Sequence, residues 1–272
     1  MELVEFFGAD KTIVFMLLFA RLSGLIVFFP FYSHNQIPLS VKTLLVFVLC
    51  VMLFPLSKAH ENSINFLVGE ILGEVMLGLS AGLMLTIIFA TLQMAGEQIS
   101  MVMGFSMASV LDPQTGTNSP VIANLINFIA LLTFLAFDGH HLLLQFYASS
   151  LAVVPLGDFY PRPGIMSYAI NLFTNLFMFG FIMSFPIIAL SLLSDSIFGM
   201  LMKTMPQFNL LVIGYPIKVT IGFSVLIAIL AGIMKIMSDL LLKVINDLPA
   251  LFFFFYSNEI YHRIGFYYYK EG

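Results

Sequence analysis

Long apolar stretches make up most of this chain, and short polar or turn-rich breaks separate them. The apolar runs cover 12–30, 43–54, 71–92, 121–137, 142–154, 168–193, 210–234 and 240–256. A helix needs about 20 residues to cross the hydrocarbon core of a bilayer, and only about half of the runs reach that length. The runs 43–54 and 142–154 are too short to cross alone unless flanking residues extend them. Helices that short suit hairpins buried against other protein, because irregular backbone exposed to lipid is not tolerated. Ordinary spans with polar-flanked ends would account for the run lengths equally well. The pattern predicts an all-α polytopic membrane protein.

The breaks carry turn chemistry. They are 30–38 (PFYSHNQIP), 57–65 (SKAHENSIN), 112–120 (DPQTGTNSP), 155–164 (PLGDFYPRPG) and 205–216 (MPQFNLLVIGYP). The break at 112–120 is the most polar in the interior of the chain. Pro186 lies inside a long run, where a kink is predicted. No soluble domain or heptad run interrupts the pattern. It reads as a single helical membrane domain over 1–256, with halves at 1–155 and 165–256. A tail at 257–272 carries Tyr261, Phe266, Tyr267, Tyr268 and Tyr269, which suit an interfacial anchor. The first residues are acidic (Glu2, Glu5, Asp10) where a secretory signal would be basic, so the first apolar stretch is expected to be retained.

Composition strengthens the membrane reading. Sixty per cent of the 272 residues are hydrophobic and 10% are charged, and mean hydropathy is +1.01. Soluble domains carry about a quarter charged residues, so lipid or other subunits must be the solvent for much of this surface. A scattered net charge of −4 argues against nucleic-acid partners. Cys50, the sole cysteine, excludes an internal disulfide and any cysteine-rich metal site. Lys235, Lys243, Arg263 and Lys270 gather toward the C-terminus and favour a cytoplasmic tail.

Several constellations could carry chemistry. Gly78-Leu79-Ser80-Ala81-Gly82 matches the G-x-S-x-G of a hydrolase elbow, but that motif needs a strand before it and a helix after it. Within an apolar run, small-residue helix packing explains it better. Gly69 and Gly73 form one i,i+4 pair, and Gly78 and Gly82 form another. The two pairs are expected on roughly opposite faces of one helix, which would be closely approached on both sides. His140 and His141 are adjacent, so they point about 100° apart and do not converge on a metal. They suit a helix-ending turn at an interface. Neither a metal nor a cofactor is expected, nor an enzymatic activity.

Charges within apolar runs are functional suspects by default. Arg21 lies mid-run, Glu70 and Glu74 share a helix face, Asp195 follows a run and Lys218 sits inside one. A proton or substrate relay could use them. Structural pairing of Arg21 with a carboxylate, or a snorkelling Lys218, is the more economical expectation. The segment 93–112 sets Met94, Met101, Met103 and Met107 among Gly, Ser and Ala, next to the polar break. Methionine is flexible and polarizable, so this segment reads equally well as core filler or as a deformable constriction. Gly104 and Gly116 are expected to let its backbone move.

Met103, Gly104, Phe105 and Ser106, then Ala108, then Leu111-Asp112-Pro113-Gln114 and Asn118, resemble the signature of the FliR family. That family is the flagellar biosynthetic R subunit of the type III export gate, with counterparts in virulence injectisomes. Four further elements follow its order. Arg21, Ser23, Gly24 and Pro30 fit its N-terminal pattern. Phe134 and Phe137 with Gly139-His140 resemble its F…GH element, and Pro155 with Gly157 its P-x-G turn. Pro206, Gln207 and Asn209 with Gly214, Tyr215 and Pro216 resemble its second-half loop. Tyr215 stands where the family has Phe, and Lys203 where it has Arg.

The resemblance implies bent, antiparallel helical hairpins with several broken or short helices. It implies a core subunit joined to P-type and Q-type subunits, with the B-type subunit as a neighbour. Such a gate sits in the bacterial inner membrane at the flagellar basal body and passes unfolded export substrates across the lipid bilayer. The family's channel plug maps to Phe105, Ser106, Asp112, Pro113, Gln114 and Asn118, and the adjoining Met101, Met103, Gly104 and Met107 complete the candidate gate. A secondary transporter of a small solute, with broken helices near Pro113 and Pro206, is the alternative from another class.

Overall fold

The computed structural model describes residues 9–28, 38–57, 67–105, 120–157, 165–205 and 210–255. Seven α-helices account for most of them: α1 (Ala9–Phe28), α2 (Leu39–Leu53), α3 (Leu67–Val102), α4 (Val121–Ala136), α5 (Gly139–Val153), α6 (Ile165–Thr204) and α7 (Tyr215–Phe255). A 3-10 turn, Phe54–Leu56, prolongs α2, and a π-helical turn, Leu210–Gly214, leads into α7. The chain is an all-α polytopic membrane protein. Among the described residues, five helical segments are long and apolar enough to cross a bilayer, or six when α4 and α5 count as one broken span.

Helix ends follow turn chemistry more faithfully than they follow polarity. The run at 43–54 is lengthened on both sides, so that Leu39–Leu56 reaches 18 residues. Pro38 precedes its first turn in an extended conformation, and Pro55 sits in the 3-10 turn that closes it. The runs 210–234 and 240–256 are not separate helices. They join in α7, which continues through Lys235, Ser238 and Asp239 because that interval holds no glycine or proline. Similarly, α6 continues past Pro186 to Thr204; one missing N–H does not end a 40-residue helix. His140 and His141 open α5 and do not end a helix. The break before them is made by Asp138, whose φ of +53° turns the chain between α4 and α5.

The chain divides into two compact units, each assembled from separated stretches. The first comprises Met1–Thr86, Asp138–Asn171 and Leu241–Gly272, and the second Ile87–Phe137 and Leu172–Leu240. These units cut across the halves 1–155 and 165–256, and α3 supplies residues to both.

In the first unit α1 and α2 form an antiparallel hairpin. Phe15, early in α1, meets Phe47 edge-on at 5.7 Å and Phe54 at 6.3 Å, late in the same hairpin. α1 and the first half of α3 then run parallel with their backbones in contact. A Cβ at Gly24 would lie 2.5 Å from the carbonyl oxygen of Val75 and 3.1 Å from the Cα of Gly78. At Gly78 it would strike the carbonyl oxygen of Arg21, and at Gly82 it would lie 2.9 Å from that of Leu25. The hydroxyl of Thr86 donates to the carbonyl of Phe28 and extends the seam by one turn. Lipid tails are as apolar as leucine, so helices in a bilayer associate by close packing and not by escape from water. That is why three glycines define this contact. Gly73 is buried on α3, whereas Gly69 is exposed, with no atom within 4 Å of a Cβ placed there. The close approach expected at Gly69 is not made by this chain's described residues.

The second unit repeats the device. The second half of α3 runs parallel to α6, with Gly180 against the Thr91 carbonyl and Met94. Ser184 donates to Oε1 of Gln98 at 2.6 Å, and Ser191 to the carbonyl of Val102 at 2.8 Å. On another side α4 crosses α3 antiparallel. Gly96 and Ala123 touch through their backbones there, and Asn127 donates to Gln93. α7 approaches through Gly222, whose open side receives Met103.

These contacts separate two glycine substitutions that look alike in sequence. Gly78→Leu forces two backbones apart and should lower stability by about 1–3 kcal/mol or more, whereas Gly69→Leu should leave the isolated chain's stability unchanged. Thermal melting of the detergent-purified variants reads the difference. Equal loss in both would contradict the α1–α3 seam.

Candidate functional site

Among the described residues, polar chemistry gathers at a buried charge cluster in the first unit and at the end of α3 in the second.

The first is built on Arg21, whose side chain has no exposure at all, as against 1% for Glu74. Arg21 faces α3 from the same stripe of α1 as Gly24, and Glu74 sits one helical turn before Gly78. The glycine seam therefore delivers the two charged groups to each other. Arg21 Nε lies 2.5 Å from Glu74 Oε2, and Nη2 lies 2.9 Å from Oε1. This two-point geometry fits a guanidinium to a carboxylate. The remaining donors turn to the end of α5. Nη1 and Nη2 both reach the carbonyl of Val154 at 3.2 Å, and Nη1 also faces the carbonyl and hydroxyl of Ser150 at 3.5 and 3.4 Å. Val154 is the C-cap of α5, where a terminal carbonyl is open to a donor and the backbone dipole favours a cation, while the Ser150 carbonyl also takes the Val154 N–H.

Gly157 completes the cluster. Its φ of +91° is a left-handed conformation that favours glycine, and its N–H donates to Glu74 Oε1 at 2.8 Å. Tyr147, fully buried beside the arginine, donates to the Arg21 carbonyl at 3.4 Å. Arg21, the Glu74 carboxylate and the P-x-G turn, three separate features of the sequence, thus meet at one point. Ser150 and the Val154 carbonyl were not legible in advance, since a backbone acceptor has no sequence signature. Glu70 is buried one turn before Glu74 on the same helix.

The second place begins where α3 stops. The Phe105 N–H bonds to the Ser100 carbonyl and the Gly104 N–H to the Met101 carbonyl, both at 3.1 Å. Gly104 has φ +88°. That paired pattern with a left-handed glycine is a Schellman cap. Gly104 therefore forms the stop of α3. Its carbonyl accepts from the Tyr215 hydroxyl at 3.1 Å, and a Cβ on it would lie 2.7 Å from the tyrosine ring. Phe105 packs edge-on against Phe223 at 5.8 Å.

The methionines separate at this cap. Met103 is buried, with 1% exposure, against Gly222, whereas Met101 stands 73% exposed. Ser106, Met107, Asp112, Pro113, Gln114 and Asn118 lie outside the described residues, as do Pro206, Gln207 and Asn209. Gly214 is buried at the end of the π-helical turn, and Pro216 is exposed in the first turn of α7. The Lys218 side chain is largely covered and ends on the half-exposed carboxylate of Asp195. Its ammonium meets both oxygens of Asp195, at 2.8 and 2.9 Å. Ser80, central to the G-x-S-x-G match, lies mid-helix and donates to the Leu77 carbonyl, so the strand–turn–helix of an elbow is missing.

The family described as Bacterial export proteins, family 1, matches residues 12–244. The chain belongs to that family. The match spans both the charge cluster and the α3 cap. Among its relatives, the flagellar biosynthetic protein FliR of Bacillus subtilis is 32% identical over 253 residues, 89% of this chain and 96% of that protein. The FliR proteins of Escherichia coli K12 and Pectobacterium carotovorum are 27% and 30% identical, over 85% and 76% of this chain and 92% and 80% of their own.

Two outcomes follow for this export-family chain. Arg21→Ala leaves Glu74 buried without its cation and should cost about 3–5 kcal/mol, whereas a double apolar replacement, Arg21→Met with Glu74→Leu, should recover much of that loss. Thermal melting in detergent measures both, and additive losses would contradict the coupling of Arg21 to Glu74. Gly104→Ala should cost about 1–2 kcal/mol for the left-handed backbone alone, and Tyr215→Phe about 0.5–1.5 kcal/mol for its hydrogen bond. A Gly104→Ala variant as stable as the parent would contradict the cap.

Proposed function

We propose that this chain is a subunit of the bacterial flagellar type III export gate, and that the segment following α3 closes the channel at rest. The observation that carries the first part is the length of the resemblance. Relatives named as flagellar biosynthetic FliR match it along nearly their whole chains, and the export family covers residues 12–244. The carrier alternative gains no support from those relatives.

The gating part rests on what the cap at Gly104 does to its neighbours. The helix end leaves Met103 inside and Met101 outward, so a compliant apolar side chain stands shortly before the polar break at 112–120. Residues 112–118 are too polar to face lipid, where each unsatisfied backbone group would cost several kcal/mol. Asp112, Pro113, Gln114 and Asn118 therefore belong in water or against protein, as a plug does. A soft apolar collar beside a polar loop can exclude ions and still yield to an unfolded polypeptide. The partners implied are the P-type and Q-type subunits and the B-type neighbour, in the inner membrane at the flagellar basal body.

Deleting the gene should abolish swimming and filament export, and the chain supplied in trans should restore both; a motile deletion strain would overturn the assignment. Removing Thr115 to Asn118 should leave the complex assembled while small dyes or ions leak across the inner membrane. Tight membranes with normal export in that variant would refute the plug.

A further inference from the structure

The end of α3 meets α6 and α7 around a small cavity inside the second unit. Met103 of α3, Ile187, Ser191 and Ser194 of α6, and Lys218 and Gly222 of α7 line it. It leaves about 10 Å³ in which the centre of a water molecule can sit. A buried water needs roughly 10–15 Å³ of such room and two to four polar partners. The room therefore suits a single molecule of that size and nothing larger.

The polar side chains of the lining differ in what they can still offer. Ser191 donates to the Val102 carbonyl at 2.8 Å, and Ser194 donates to the Leu190 carbonyl at 2.9 Å. A hydroxyl has one proton, so each of these buried serines has an acceptor oxygen left to give. Lys218 carries three donors and no acceptor, and its two bonds to Asp195, at 2.8 and 2.9 Å, do not exhaust them. The lining thus combines one cationic donor with two acceptors. A metal ion is opposed by the ammonium, and an anion is opposed by the lone pairs of two hydroxyls already spent as donors. An apolar occupant would leave all three groups facing it without a bond. Water alone accepts from the ammonium and donates to two oxygens at once, and three bonds are usual for a buried water.

We infer that this cavity is a hydration site, in which one ordered water accepts from the Lys218 ammonium and donates to the hydroxyl oxygens of Ser191 and Ser194. The water joins α7 to α6 beside the last turn of α3. Such a bridge is nearly as good as a direct hydrogen bond. It lets one ammonium serve the half-exposed Asp195 carboxylate and the buried serines together.

Met103 supplies the test, because its side chain borders the cavity and is 1% exposed. Met183 of α6 and Met237 of α7 are as well buried, at 2% and 0%, and do not border it. X-ray pulses split ordered water into hydroxyl radicals where it lies, and a neighbouring thioether records them as methionine sulfoxide. In the full chain in lipid nanodiscs, Met103 should gain sulfoxide severalfold faster than Met183 and Met237. Ser194→Val fills the room and removes an acceptor, and Lys218→Leu removes the donor; each should bring Met103 down to the rate of the other two. Hydrogen peroxide added to the bulk should oxidise the exposed Met101 and spare Met103. Equal X-ray labelling of the three buried methionines in the parent chain would overturn the inference. Peroxide oxidation of Met103 as fast as Met101 would overturn it too, since bulk water would then be the source. A folded Ser194→Val chain that labels Met103 at the parent rate would do the same.

Discussion

A guanidinium shut away from water must find acceptors for all five of its N–H groups inside the protein, and Arg21 finds them on two further stretches of chain. The carboxylate of Glu74 takes one side of it, and the carbonyl end of α5 takes the other. Neither half suffices alone. A buried ion pair repays its desolvation only where the geometry is good and the remaining donors are bonded. Here the α1–α3 glycine seam supplies the geometry, and the helix terminus takes the remaining donors. Removing Gly24 or Gly78 would push the charges apart, and losing the turn at Gly157 would strip Glu74 of its second donor. The cluster specifies which segments must meet, a task that apolar packing in an apolar solvent performs poorly.

The same economy recurs through the rest of the structure. Where water cannot drive helices together, contact depends on how closely backbones approach and on the hydrogen bonds this permits. Gly180, Gly96 and Gly222 open such approaches in the second unit. Ser184 and Ser191 then bond across them, one to the Gln98 side chain and the other to a backbone carbonyl. Small residues bring helices close, and hydroxyls or amides set the register.

Much of this was legible beforehand, and the rest failed for identifiable reasons. Helix class and the membrane environment followed from the apolar runs, and Pro38 and the Asp138-Gly139 break marked real element ends. Lys235 and Asp239 looked like a boundary between runs, yet charge does not end a helix and α7 passes through both. Gly69 and Gly78 were indistinguishable by spacing, and only the position of α1 gives one of them a neighbour. Gly104 suggested freedom because glycine permits it; the bonds to Ser100 and Met101 show the same permissiveness used for a left-handed helix cap. The pairing of Arg21 with Glu74 was one option among several carboxylates. The choice depended on the parallel run of α1 and α3, which periodicity does not encode. Asp195 was not legible as the partner of Lys218, because it lies 23 positions away and no local pattern brings the two near.

A chain held together by so few polar contacts still exposes much of α2, α6 and α7, and the account assigns that surface to an assembly of several subunits. The most direct test is the mass and composition of the particle that a mild detergent extracts on the tagged chain, measured by native mass spectrometry. The account predicts one large particle in which this chain is accompanied by other apolar export subunits, with no free form of comparable abundance. A small particle containing this chain alone, from cells that are building flagella, would contradict it.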